Sequence, residues 1–267
     1  HVVTGGTGTD TVNLTANTGL ADVGSIDAEN INVDVVAGTS QTIGTSFGTG
    51  VDNVVITGGN SASVFTTGTI VTDVKTVDAS AFLGQLITTV AADMVDSTIT
   101  LSAGGHAKDE LNYAIGITGT DNLTSTGIEV LDLDINEVAT LNLALATGVT
   151  TIDVDVAASK SIVLDKLTGS ELILVTDTGT NGVIEAKLAT DSGLADSLSF
   201  ELKATGGIDN GTTLKTTDIE TVNIKVSTAE TVSLADTGAI TDADTYSTVV
   251  LTGTAALTAS ATHADIT

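Results

Sequence analysis

Residues 129–135 read Glu-Val-Leu-Asp-Leu-Asp-Ile, and residues 150–156 read Thr-Thr-Ile-Asp-Val-Asp-Val. Alternation of apolar and acidic residues has a period of two. That is the period of a β-strand, not of a helix. It puts Leu131, Leu133 and Ile135 on one face and Asp132 and Asp134 on the other. In the second stretch Ile152, Val154 and Val156 oppose Asp153 and Asp155. One buried face and one solvated face follow.

The same look recurs along the chain. Short alternating stretches centre on Ile31, Val54, Val77, Ile99, Leu131, Ile152, Ile173, Leu198, Val222 and Val249. Most successive centres are about 21 to 27 residues apart, with one longer interval between Ile99 and Leu131. Gly, Asn, Asp or Thr bounds each stretch, which is turn chemistry. A repeat of this length without helices between the strands predicts an all-β parallel β-solenoid, with short strands and Gly/Asp turns. Residues 1–267 are read as one continuous solenoid segment of a longer protein, of about ten coils. Tandem β-sandwich domains are the alternative, since they also give short strands at regular spacing. Residues 78–97 are ambiguous, because Phe82, Leu86, Val90 and Met94 stand at helical spacing. Gly84 and the Thr88–Thr89 pair lower helix propensity there, so strand and turn are expected.

Composition narrows the function. The chain has 267 residues, 41% hydrophobic and only 2% aromatic, so Val, Ile, Leu and Ala must build the core. Acidic residues number 34 against 8 basic ones, a net charge of −26. Such a charge repels phosphate backbones and anionic membrane surfaces, so nucleic-acid binding is not expected, and no apolar run approaches the length of a membrane span, so neither is membrane insertion. All the basic residues are Lys. Without Arg the usual fork for carboxylate and phosphate ligands is missing. An acidic chain suits hard divalent cations, which take oxygen ligands. There is no Cys, hence no disulfide or thiol chemistry.

The sharpest motif spans Gly5 to Asn13, Gly-Gly-Thr-Gly-Thr-Asp-Thr-Val-Asn. It fits the nonapeptide of calcium-binding β-rolls at every position. Glycines permit turn conformations closed to other residues, Asp10 offers a carboxylate, and Val12 is the inward apolar residue of the short strand that follows. Weaker copies follow: Gly48, Gly50, Asp52 and Val54; Gly104, Gly105, Asp109 and Leu111; Gly119, Asp121 and Leu123; Gly207 and Asp209. The candidate metal residues are Gly6, Gly8, Asp10, Gly50, Asp52, Asp109, Gly119 and Asp121, with Ca2+ as the ion. A second motif alternates with the first. Glu29, Glu129 and Glu220 each follow Ile or Ala and precede an alternating strand, and Lys75 takes the Glu position in a fourth copy.

These motifs carry a resemblance. The phrases GGTGTDTVNLT (5–15), TVDASAFLG (76–84), TGTDNLTSTGIEVLDL (118–133) and DIETVNI (218–224) recur over nearly the whole chain. The chain resembles the β-strand repeats of bacterial surface-layer proteins of the RTX, type I-secreted kind. Large Thr/Gly/Asp-rich adhesins share the style. The resemblance implies an extracellular, calcium-dependent structural coat on a bacterial cell. Its partners would be copies of itself and a cell-surface polysaccharide. A rod-like adhesin or binding module of a large secreted protein is the alternative.

Catalytic signatures are poor, and no enzyme is expected. Gly44 to Gly48 match the nucleophile-elbow pattern around Ser46, yet His1, His106 and His263 are the only histidines that could serve it. Asp132 to Glu137 start like a helix-loop-helix calcium loop, but Glu137 stands where glycine is needed and the run alternates as a strand. Thr-x-Thr runs lie beside glycines, so a regular outward Thr ladder of the ice-binding kind is not expected. The sequons at Asn13, Asn122 and Asn210 are ordinary for a Thr-rich chain.

Overall fold

The computed structural model describes residues 3–4, 6–17, 26–43, 50–70, 74–90, 100–190, 195–208, 212–217, 219–228, 230–236 and 248–261. Among these residues every regular element is a strand. All described pairings are parallel, and the chain is a parallel β-solenoid. Alternation explains the strands, and β-branched residues stiffen them.

The chain divides into two compact units. The first is His1–Ala114, Leu123–Asp132 and Leu145–Val149; the second is Ile115–Asn122, Leu133–Ala144 and Thr150–Thr267. In the first unit, strands Thr11–Ala16, Asn30–Val35, Asn53–Gly58, Thr76–Phe82 and Thr100–Ser102 pair in that order. Strands Ser40–Thr42, Val64–Ile70, Gln85–Val90 and Glu110–Ile115 form a second series. In the second unit, Thr151–Val156, Leu172–Thr178, Ser197–Ile208, Thr221–Val226 and Thr248–Gly253 pair in order. So do Ala139–Thr147, Ser161–Leu167, Val183–Leu188, Thr213–Thr216, Glu230–Asp236 and Leu257–Ala261. Each coil thus lends one strand to each series.

Register carries the core. Ile31, Val54 and Val77 are partners on successive strands and have no solvent exposure. Inward columns of this kind bury the apolar set of every coil against the next. Burial of each such side chain favours folding by roughly 1.5–3 kcal/mol. Phe65 and Phe82 come from different series and meet edge-to-face, with ring centroids 6.3 Å apart. Buried threonines satisfy each other where they intrude, as in the Thr67–Thr88 hydroxyl contact of 2.9 Å.

The ambiguous segment is strand and corner. Thr76–Phe82 and Gln85–Val90 are strands of different series. Leu83 and Gly84 turn the corner between them, which resets the alternation and brings Phe82, Leu86 and Val90 all inside. Helical spacing arises from that reset. Met94 lies outside the described residues. Close packing and a positive φ together make glycine necessary at one such corner. Gly59 has φ +69°, and a Cβ there would stand 2.5 Å from the Phe82 ring.

On the outer face Thr and Asn share one register position, through Thr11, Asn30, Asn53, Thr76, Thr100 and Thr124 on consecutive strands. In-register stacking sets identical positions one above another, so similar residues form ladders. Asn53 Nδ2 donates to Asn30 Oδ1 at 3.0 Å within this one.

Candidate functional site: the carboxylate corners

Each candidate carboxylate sits at or just beyond a corner where the chain enters a strand. Asp10 precedes Thr11–Ala16 and is half-buried. Its Oδ2 accepts the Gly6 N–H at 2.6 Å, which closes the nonapeptide turn on itself. Gly8 has φ +145° and open space where a Cβ would stand, so it is backbone freedom and not crowding that calls for glycine there. One coil on, Glu29 Oε2 accepts the Asp10 N–H at 2.7 Å. Two carboxylates therefore share this corner. Neither is ion-paired among the described residues.

The two sequence motifs are thus halves of one device. Asp109 N–H donates to Glu129 Oε2 at 3.0 Å, and Asp196 N–H to Glu220 Oε2 at 2.7 Å. Each Glu reaches back across one coil and takes a main-chain N–H that the strand ladder leaves over. Glu171 does this within its own corner, accepting the Thr168 and Gly169 N–H groups. The fourth copy differs. Asp52 N–H goes to the Glu29 main-chain carbonyl at 2.8 Å, and the Lys75 ammonium pairs with Asp52 Oδ1 at 2.7 Å. Lys75 supplies the positive charge that a divalent ion would bring, so Asp52 does not fit a metal role. Gly50 turns the same corner with φ +98°.

Asp109 is the exceptional one. It has no solvent exposure. Oδ1 accepts the Leu86 N–H at 2.7 Å, while Oδ2 is buried with no hydrogen-bond partner. Burial pushes its carboxyl up from 3.8 to about 6, the Leu86 N–H and His106 pull it down, and the Glu129 charge adds to the rise. Glu129 is also raised, chiefly by burial. His106 Nδ1 is buried and unpartnered beside them. Asp121 is a strand residue of Gly119–Thr126, pointing inward with Leu123 and Ser125, and Gly119 is the exposed first residue of that strand. Gly207 is also inside a strand, opposite Asp177. Asp132 to Glu137 begin in the strand Val130–Ile135, so no calcium loop forms there. Asp209, Asn210, Ser46, His1 and His263 lie outside the described residues.

The outer face holds a further acidic group that the sequence showed only as alternation. Asp155 is the register partner of Asp177 on the next strand. Burial raises the Asp155 pKa first, followed by the charges of Asp177, Asp134 and Asp153. Elsewhere in this unit a lysine faces the acid: Lys215 is opposite Glu185 and lies 3.5 Å from it, and Lys225 is opposite Glu201 at 2.9 Å. No lysine pairs with Asp134, Asp155 or Asp177 among the described residues.

Among the described residues no three His, Cys, Asp or Glu side chains converge to hold a metal. The Asp10–Glu29 corner offers two hard oxygen donors, and Ca2+ takes six to eight oxygens, so main-chain carbonyls and water would have to complete the shell. No helix among the described residues is long and apolar enough to cross a membrane. Fold and corners define an acidic parallel β-solenoid with carboxylate-capped main-chain corners. No family model, no curated protein and no solved structure matches the chain.

Proposed function

We propose that this chain is a non-catalytic structural segment of a bacterial surface layer, extracellular, calcium-stabilised and self-assembling. The observation that supports this reading is the aspartate column. Asp155 stands in register with Asp177, with Asp134 and Asp153 close enough to raise its pKa. Like charges on neighbouring strands destabilise a sheet. A fold keeping them side by side, while placing lysines opposite Glu185 and Glu201, is stabilised by a cation from solution. The carboxylates of Asp10 and Glu29 offer the same ion a second seat, in the one complete nonapeptide. An ion that binds the folded chain alone adds stability by mass action.

The test is a thermal melt in chelator, in millimolar calcium, and in sodium chloride of matched ionic strength. Light scattering and electron microscopy of the same samples follow assembly. Calcium raises the melting temperature beyond the sodium control and triggers ordered assemblies. Superimposable melts in all three solutions overturn the reading.

A further inference from the structure

We propose that the corner at residues 103–109 binds a zinc-type divalent ion, with His106 Nδ1 and Asp109 Oδ2 as its side-chain ligands and water in its remaining positions.

This corner is longer than its neighbours in the stack. Seven residues separate Thr100–Ser102 from Glu110–Ile115, where Leu83 and Gly84 suffice one coil earlier. One coil later, residues 127–129 make the same connection. Gly104 lies tight against the Phe82 carbonyl, while Gly105 has open space around it. The added length brings His106 within electrostatic reach of both Asp109 and Glu129.

Two buried donor atoms stand there without a partner. Asp109 has no solvent exposure, and its Oδ1 accepts the Leu86 N–H at 2.7 Å while Oδ2 accepts nothing. His106 Nδ1 is also buried and unpartnered, although the residue as a whole is half-buried. The carboxylate at a later corner of the same kind is satisfied: Glu171 takes the Thr168 and Gly169 N–H groups and the Thr168 hydroxyl. Buried polar atoms left without a partner call for an ion or an ordered water.

The donor pair selects the ion. Ca2+ and Mg2+ take oxygen ligands. An imidazole nitrogen beside a carboxylate oxygen suits Zn2+, Ni2+ or Cu2+. Glu129 is fixed next to Asp109 by the 3.0 Å bond from the Asp109 N–H, and it adds a second negative charge. A divalent ion answers both acids at once, which one proton does not. Two side-chain ligands are fewer than the three of catalytic zinc sites, in keeping with the lack of a three-ligand cluster among the described residues. Binding is therefore micromolar rather than nanomolar, and water reaches the ion past the half-buried imidazole.

This goes beyond the calcium reading above and does not rest on it. It moves Asp109 from the all-oxygen site that its nonapeptide copy suggests to a mixed nitrogen and oxygen one. The test is calorimetric titration of the full chain with zinc chloride near neutral pH, in millimolar calcium throughout. One ion binds with micromolar affinity. His106→Ala and Asp109→Asn each weaken binding at least tenfold. The double variant His1→Ala/His263→Ala binds as wild type, which separates this corner from the other histidines. Circular dichroism checks each fold, and His106→Gln replaces any variant that does not fold, with the same tenfold loss. A wild-type chain that takes up no zinc overturns the proposal. So does binding that survives the His106 change, or zinc that millimolar calcium displaces. A chain that binds zinc here but melts alike with and without calcium loses the calcium reading and keeps this one. A calcium response without zinc binding does the reverse.

Discussion

The backbone N–H of Asp109 donates to Glu129 Oε2 at 3.0 Å, one coil further along the chain. The contact holds a fully buried carboxyl against a second acid, with His106 beside both. Its consequence is a pH dependence of known sign. Asp109 has a folded pKa of about 6 against 3.8. A raised pKa means that the folded chain holds the proton more tightly. The associated stability is complete below about pH 4 and is lost as pH rises through 6.

Asp109→Asn keeps an oxygen for the Leu86 N–H and removes the buried charge. The variant is therefore more stable than wild type at pH 8, by up to about 3 kcal/mol, and the gap closes toward pH 4. Urea melts at a series of pH values read this difference. A gap independent of pH would place the Asp109 carboxylate in water rather than in the core.

The Glu reach-back contact makes a separable claim. Glu220→Ala leaves the Asp196 N–H without its carboxylate acceptor. The expected loss is about 1–2 kcal/mol. Glu220→Gln retains an acceptor at the same reach and loses less than half as much. Equal losses in chemical denaturation would show that Glu220 acts through its charge and not through the hydrogen bond.

Leu133 and Asp132 test the inside and the outside of one strand. Leu133 is 1% exposed, and Asp132 projects to the solvated face. Leu133→Asp buries a carboxylate among apolar columns and costs about 4 kcal/mol or more. Asp132→Asn removes one charge from an acidic face and changes stability by less than about 0.5 kcal/mol. Comparable melting temperatures for the two variants would contradict the register.

The fold was legible because alternation and coil length are both local signals, while connectivity was not. The centres read from the sequence fall in two different series of strands. Ile31, Val54 and Val77 form a column in one series of strands, whereas Leu198, Val222 and Val249 form one in the other. Strands such as Ala139–Thr147 and Val64–Ile70 went unmarked, the second because Gly68 interrupts its alternation. At the corners, Gly-x-Asp and Ile-Glu each stood out as motifs. Their pairing did not, because Asp10 and Glu29 meet only through stacking. The full burial of Asp109 and the half-burial of Asp10 depend equally on which coil lies over each.

The aspartate column yields the last prediction. Asp155 faces Asp177 in register, and at the equivalent contacts elsewhere Lys215 faces Glu185 and Lys225 faces Glu201. Asp155→Lys gives the column the same opposite-charge arrangement. A cross-strand pair of opposite charge contributes roughly 0.2–1 kcal/mol, and a like pair destabilises by a similar amount. The swap is therefore worth about 1 kcal/mol, or about 2–4 °C in a chain of this size. In chelator the variant melts above wild type by that amount. In millimolar calcium the gap closes, because the ion already relieves the wild-type column and has less to relieve in the variant. The calcium increment in melting temperature is thus smaller for Asp155→Lys than for wild type. Asp78→Lys, at an outward aspartate of the Thr76–Phe82 strand in the other unit, keeps the full increment and controls for net charge. If both variants lose the same share of the calcium response, the ion answers to total charge and the column is not its seat.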